Sequence, residues 1–236
     1  MSQPFAVYFA LLLSLGFCQE NLRSCKWDCL IFAQMWPGSF CPYSGNSFKC
    51  QIPQFVNSWT IHGLWPNGVT HCCDCSVLFQ SHLENIEGDM SIYWPSFTND
   101  TNFFFWNNEW TKHGTCAICD ERLSSPERYF GASLKLYQSL NIQRALMTAN
   151  IVPTCNQTYK YLDILHVLQA EMGNNLKVQC STDSKGRQLL NQVMFSLYPN
   201  LTSGSCSHLG LPYNSCDSQK ILFPPINYDP PHDPCP

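Results

Sequence analysis

The sequence predicts one α+β domain that is cross-linked by disulfides. Stretches with strand composition and stretches with helical periodicity are mixed along the chain, without the regular strand–helix–strand alternation of a parallel α/β fold. The chain has 236 residues, of which 14% are aromatic and only 13% are charged. Those values suit a single domain with a sizeable core. The 15 cysteines are a density typical of secreted proteins that are stabilised by disulfides.

Four segments have the composition of buried or half-buried strands. They are 26–36, 58–64, 176–180 and 190–198. The first is followed by the turn signal WPG (36–38) and the second by PNG (66–68), because proline, glycine and asparagine favour turn geometry.

Three segments favour helices. Residues 104–116 have helical character, and SSPE (124–127) is a capped helix start that should continue to about Leu140. Residues 159–172 carry an apolar stripe with helical spacing that closes at Gly173. The tail from Phe223 holds six prolines, which predicts an extended strap on the surface.

The N-terminal segment resembles a secretory signal. Residues 5–17 form an apolar run that is shorter than the ~20 residues needed to cross a bilayer and fits the apolar region of a signal peptide. We therefore expect residues 1–18 to be a signal peptide and 19–236 to be the single mature domain. The alternative is a buried N-terminal strand or helix. No later segment could span a membrane.

Cysteine number and glycosylation signals agree with secretion. Removing Cys18 from the 15 cysteines leaves an even 14, which favours a disulfide framework and indicates a monomer. The acceptor triplets NDT, NQT and NLT predict N-glycans at Asn99, Asn156 and Asn200. The expected location is extracellular, and the alternative is a lysosome or a secretory vesicle.

The charge balance excludes a general nucleic-acid coat protein. The net charge is −4 and the isoelectric point is about 5.9, whereas such proteins are basic. If RNA is the partner, it must be held at a local site.

Two motifs carry the chemistry: WTIHGLWP (59–66) and FWNNEWTKHGTC (105–116). Each places a histidine among tryptophans, and two histidines can divide general base and general acid work. In an α-helix, Glu109, Lys112 and His113 would share one face. Indole rings beside such a pair suit a substrate with flat bases, such as a nucleotide.

These motifs resemble those of the T2 family of secreted ribonucleases. Supporting matches are QMWP (34–37) before Cys41 and YF (129–130) after Cys116. The resemblance covers roughly residues 27–225. It implies the T2-type fold, a central antiparallel sheet flanked by helices.

The resemblance also implies roles for the site residues. His113 would remove the 2′-OH proton, His62 would protonate the leaving 5′-oxygen, and Lys112 would stabilise charge on phosphorus. Glu109 would orient its neighbours or exchange protons with the phosphoryl oxygens. The two histidines exchange roles between the two steps, so the assignment of base and acid stays open. The reaction would need no metal or cofactor, would give a 2′,3′-cyclic phosphate, and would spare DNA, which lacks the 2′-OH.

Substrate contacts are implied for three further residues. Trp65 would stack on a base, Asn67 would hydrogen-bond its edge, and Asn108 would contact phosphate. Many family members have Asp at the position of Asn67 and histidine at that of Asn108, so base preference and binding strength are open. The tryptophans at 59, 106 and 110 are expected in the core.

The cysteine clusters allow three interpretations. HCCDC (71–75) and CAIC (116–119) could supply zinc ligands, a redox pair or structural disulfides. Secretion favours disulfides. The resemblance implies Cys41–Cys50, Cys180–Cys216, and Cys116 bonded to Cys72 or a close neighbour.

The leading hypothesis is thus a secreted, metal-independent endoribonuclease that acts on single-stranded RNA. One alternative is a glycoprotein on the same scaffold that acts by receptor or RNA binding with little or no catalysis. Another is a disulfide-rich inhibitor or toxin, which would leave both histidine motifs unexplained. Resistance of RNA to the purified protein would favour the alternatives.

Overall fold

The computed structural model describes residues 25–44, 49–74, 76–206, 216 and 219–235. The strands are β1 (Leu30–Met35), β2 (Thr60–Pro66), β3 (Thr154–Tyr159), β4 (Leu176–Thr182), β5 (Gln188–Leu197) and β6 (Ile221–Phe223). The helices are α1 (Pro37–Ser44), α2 (Glu87–Tyr93), α3 (Asn102–Glu109), α4 (Pro126–Ser139), α5 (Ile142–Thr148) and α6 (Tyr161–Met172). Helix α3 continues through a π-helical segment, Trp110–Gly114, into a last α-helical turn, Thr115–Ala117.

The strands form one sheet in the order β2-β1-β5-β6-β3, with β4 also paired to β5. Each described pairing is antiparallel except β5–β6, which is parallel. Strand β5 is ten residues long, and β1 pairs with only residues 192–197 of it. The short β6 lies beside Gln188 and Leu189, on the edge that β1 leaves free. The α+β class is confirmed, and the sheet differs from the expected antiparallel one in this single pairing.

The predicted elements overlap the observed ones, with three differences. Strand β1 begins at Leu30 and not at residue 26, Tyr159 ends β3 and does not begin α6, and the chain differs at residue 36. The WPG turn is not observed, because Pro37 begins α1. Proline suits the first helical position, where a backbone N–H would have no helical partner. The helix predicted from residue 124 is α4, capped by Ser125, whose hydroxyl accepts from the Arg128 amide. Helix α6 ends at Met172, and the predicted Gly173 follows it at φ 86°.

The core lies between the sheet and the helices and is rich in aromatic rings. Trp59, Trp106 and Trp110 are no more than 2% exposed, which confirms their placement in the core. Two other core side chains hold strand β2 directly: Tyr129 donates to the Leu64 carbonyl at 2.5 Å and Trp94 donates to the His62 carbonyl at 3.0 Å. The helical layer therefore fixes the backbone on which the first histidine motif sits.

Six disulfides are described. Three are the pairs that the resemblance implies, Cys41–Cys50, Cys72–Cys116 and Cys180–Cys216. The others are Cys25–Cys119, Cys29–Cys206 and Cys155–Cys235. Cys73 is disulfide-bonded as well. Because Cys72, Cys73, Cys116 and Cys119 are oxidised, the disulfide interpretation of both clusters agrees with the structure, and the zinc interpretation of these thiols does not.

The proline-rich tail is anchored along its length. Its start is in the sheet, as part of β6, and Phe223 is only 1% exposed. Farther on, the Tyr228 hydroxyl donates to the Val56 carbonyl at 2.7 Å, and the Cys155–Cys235 disulfide holds the far end against β3. The expected surface strap is thus half-buried and cross-linked.

Among the residues that the structure describes, no helix has the length and apolar character needed to cross a membrane.

Candidate active site

His62 projects from an irregularity in strand β2. Ala33 of β1 pairs with Gly63, and the next residue, Gln34, pairs with Ile61. His62 is therefore an extra residue, a β-bulge. Bulges re-aim a side chain relative to the regular pleat and are common beside active sites. The sequence signal for this strand was its length and composition, which do not reveal a bulge.

Gln192 of β5 holds the His62 ring. Its side-chain oxygen lies 2.5 Å from His62 Nδ1, and its Nε2 donates to the Gln179 side chain on β4 at 3.0 Å. Gln192 is 3% exposed. Sequence reasoning missed this residue, because its partner is 130 positions away and no local pattern joins them.

Glu109 and His113 approach the same site from the helical layer. Glu109 ends α3, and His113 lies in the π-helical segment. They are 8% and 9% exposed, respectively. Lys112, in the same segment, is exposed. Its charge acts on Glu109, His113 and His62, so the ammonium group lies close to the carboxyl and to both imidazoles.

Trp65 connects the two motifs. Its ring lies 4.9 Å from the His62 ring and 5.5 Å from the His113 ring, centroid to centroid. Its Nε1 donates to Glu109 at 2.8 Å. The side chain is 7% exposed in the free protein. Trp65 thus packs against both imidazoles and binds the carboxyl, and its stacking on a base stays a prediction.

Gly63 makes this close approach possible. A Cβ at residue 63 would collide with Trp65 Nε1 and with the Glu109 carboxylate. The hydrogen bond between Trp65 and Glu109 thus lies directly over the Gly63 backbone. The sequence places glycine here but gives no sign of what passes over it.

Burial dominates the electrostatics of the site. It raises the pKa of Glu109 to about 7, against opposing effects of the Trp65 hydrogen bond and the Lys112 charge. Burial also lowers the pKa of His113 to about 3, and the charges of Lys112, His62 and His71 add to that effect. The pKa of His62 is lowered by burial and by Lys112, although the Gln192 hydrogen bond raises it. The lowered pKa values favour the neutral form of both histidines in the free protein, and the raised pKa of Glu109 favours its protonated form up to about pH 7.

The remaining predicted contact residues lie near the surface. Asn67 follows β2 and is half-buried, and its amide donates to the Cys29 carbonyl at 3.0 Å. Asn108 is exposed on α3, one residue before Glu109. The three predicted glycan sites, Asn99, Asn156 and Asn200, are all exposed.

The arrangement can move protons without further groups. It combines two neutral imidazoles, a carboxyl that titrates near pH 7 and an exposed ammonium group. His113 Nδ1 is buried with no protein partner, so it has unused hydrogen-bonding capacity. Among the side chains that the structure describes, no three His, Cys, Asp or Glu residues group closely enough to hold a metal ion.

Comparisons with known proteins identify the family of the chain. Residues 27–209 match the model of the Ribonuclease T2 family. Ribonuclease T2 of Sus scrofa is 33% identical over 205 residues, which cover 85% of this chain and 98% of that protein. The crystal structure of human RNase T2 superposes with a TM-score of 0.73 at 29% identity, covering 84% of this chain and 99% of the human one. That of RNase NT in complex with 5′-AMP gives 0.74 at 27% identity, covering 85% and 99%. The chain therefore belongs to the Ribonuclease T2 family.

Proposed function

We propose that this T2-type endoribonuclease cleaves single-stranded RNA by transesterification, with His62 and His113 as the proton-transfer pair. The observation that carries the proposal is the packing of both imidazoles against one indole, Trp65, which also binds Glu109. Two histidines from separate motifs thereby form one site.

His113 is assigned as the base of the first step. The base must accept the 2′-OH proton, which requires a neutral imidazole at the working pH. The lowered pKa of His113, about 3, keeps the ring neutral throughout the mildly acidic range. The freed 2′-oxygen then attacks phosphorus, and the bond to the 5′-oxygen breaks.

His62 is assigned as the acid that protonates the leaving 5′-oxygen. Its lowered pKa in the free protein makes the imidazolium scarce at neutral pH, so the reaction should favour mildly acidic conditions. The substrate phosphate is an anion close to the ring, and it would stabilise the imidazolium when RNA binds. The product is a 2′,3′-cyclic phosphate, which water opens when the histidines act in reverse.

Lys112 and Glu109 are assigned to the phosphoryl group. The exposed Lys112 ammonium can meet the negative charge that develops on the phosphoryl oxygens. Glu109 is protonated below about pH 7, so it can donate a hydrogen bond to those oxygens where a carboxylate would repel them. Asn108 supplies a neutral donor beside them, and Asn67 supplies an edge contact to a base.

We also infer that the mature protein begins near residue 19, after removal of residues 1–18, and is secreted as a glycosylated monomer. The described disulfides and the exposure of the three acceptor asparagines support this inference. Oxidised cysteines persist in extracellular and vesicular compartments.

Cleavage of single-stranded RNA in EDTA across pH 4–8 tests the proposal. We expect cyclic-phosphate ends, no cleavage of DNA, and loss of activity in His62→Ala and His113→Ala by at least about 100-fold each. His166→Ala, which alters an exposed histidine on α6, is the matched control and should stay active. If folded, oxidised wild-type protein leaves RNA intact, the enzymatic proposal fails and a binding function takes its place.

A further inference from the structure

We propose that Gln192, held in turn by Gln179, is a positioning residue that fixes His62 as the tautomer with its proton on Nδ1 and presents Nε2 to the substrate. The proposal rests on the proposed function of His62 as a proton-transfer group. It assigns a task to two glutamines that neither histidine motif contains.

The sheet brings the three side chains together. In the strand register, Gln179 of β4 lies opposite Gln192 of β5, and Gln192 lies opposite Met35 of β1. Facing residues on neighbouring strands project to the same side of a sheet. His62, at the bulge in β2, is on that side too and reaches Gln192 across β1.

The hydrogen bonds between these side chains determine which atoms donate and which accept. The Gln192 Nε2 group donates to the Gln179 Oε1 atom at 3.0 Å, which leaves Gln192 Oε1 facing His62 Nδ1 at 2.5 Å. A carbonyl oxygen only accepts hydrogen bonds. With the two amides in this orientation, His62 Nδ1 carries the hydrogen, and Nε2 is the nitrogen that gains or loses a proton during the reaction.

A neutral partner suits a ring that must both hold and release a proton. Among the described residues, Lys112 is the charged group that lowers the pKa of His62. The neighbouring His113 is affected by Lys112, His62 and His71. Glu109 reaches Trp65 on the same side. From the sheet, Gln192 supports the imidazolium through a charge-assisted hydrogen bond without adding a negative charge that would trap the proton.

Burial restrains the hydrogen-bonded chain of His62, Gln192 and Gln179. Gln192 is 3% exposed, and both ends of its amide are bonded, so flipping the amide would place two donors or two acceptors against each other. Such a buried mismatch is costly. Loss of Gln179 should therefore loosen the His62 ring while leaving the His62–Gln192 contact possible.

The test measures the His62 ring directly by ¹⁵N–¹H NMR, with no need for activity. In the wild type we expect the Nδ1–H tautomer at pH 7. Gln192→Leu should lower the pKa of His62 by about one unit, because a charge-assisted hydrogen bond is lost. Gln192→Glu should raise it, because a carboxylate favours the imidazolium.

The same variants should move the alkaline limb of the kcat/KM profile in parallel. Gln192→Leu should shift it to lower pH and reduce kcat about 10- to 100-fold, Gln192→Glu should shift it to higher pH, and Gln179→Leu should reduce kcat less. The control is Gln188→Leu, which removes a half-buried glutamine of the same strand. Because the Gln188 side chain donates to Thr182 and not to a histidine, this variant should leave the alkaline limb of the profile in place.

An Nε2–H tautomer in the wild type would overturn the proposal, and that spectrum requires no variant to fold. An unmoved His62 pKa in folded Gln192→Leu and Gln192→Glu would also overturn it. Absence of RNA cleavage by a wild type with the expected tautomer would instead refute the proposed function of the site.

Discussion

Replacing Glu109 with glutamine should stabilise the protein above neutral pH. The pKa of this carboxyl is raised from 4.5 to about 7 because it is buried, and it is 8% exposed. The glutamine side chain would keep the shape of the protonated acid and could still accept the Trp65 Nε1–H bond. The variant therefore removes the ionisation and leaves the packing in place.

The sign of the effect follows from proton binding. Between pH 4.5 and 7 the folded protein holds more protons at Glu109 than the unfolded chain, so its contribution to stability falls as pH rises through that window. With about 1.4 kcal/mol for each pKa unit, ionisation costs the folded wild type about 3 kcal/mol by pH 8. Glu109→Gln carries no such cost.

Urea unfolding of both proteins at pH 4 and pH 8 measures the effect. The free energy of unfolding of Glu109→Gln, relative to the wild type, should rise by about 3 kcal/mol between the two pH values. Histidine titration occurs in both proteins and largely cancels in this difference. Glu84→Gln, at an exposed position, should show no comparable change. A difference for Glu109→Gln that is the same at both pH values would refute the reasoning.

Three further predictions follow from the site and the cross-links. Gly63→Ala should cost about 1–3 kcal/mol of stability by overpacking and should reduce kcat, whereas Gly88→Ala, where an added Cβ meets open space, should do neither; equal effects in thermal unfolding and kinetics would contradict this. The kcat/KM for RNA should fall as pH rises through the neutral range, because His62 must be protonated to act as the acid and burial lowers its pKa; a rate that peaks above pH 7 would be inconsistent. Replacing Cys155 and Cys235 together by serine should cost about 2–4 kcal/mol but leave kcat unchanged, since β3 lies at the opposite edge of the sheet from β2; a matching loss of kcat would show that the tail supports the site.

Local sequence patterns predicted the elements that depend on local physics. The cap and proline at the start of α4 and the glycine after α6 fix helix ends through their own backbone preferences. Trp59, Trp106 and Trp110 belong to the core because burial of large aromatic surface dominates their energetics. The exception is Pro37, which suits either a turn or a helix start. The local sequence does not decide between them, because the choice depends on how the segment packs in the fold.

The site was predictable in its main residues but not in its geometry. His62 and His113 stand in long motifs, so the sequence identifies them. The bulge at His62 and the π-helical turn at Lys112 depart from regular strand and helix geometry, and composition and periodicity do not reveal them. The contact between Gln192 and His62 depends on the strand register across β1 and β5, which the residue pattern of one strand does not encode.

The central claim is the division of labour between His62 and His113, and it is tested most directly with RNA that carries sulfur at the 5′-bridging position of one linkage. A thiolate leaves without protonation, so this substrate needs the base but not the acid. We predict that His62→Ala cleaves it at close to the wild-type rate, while His113→Ala remains strongly impaired. Rescue of His113→Ala in place of His62→Ala, or failure to rescue either variant, would contradict the assignment.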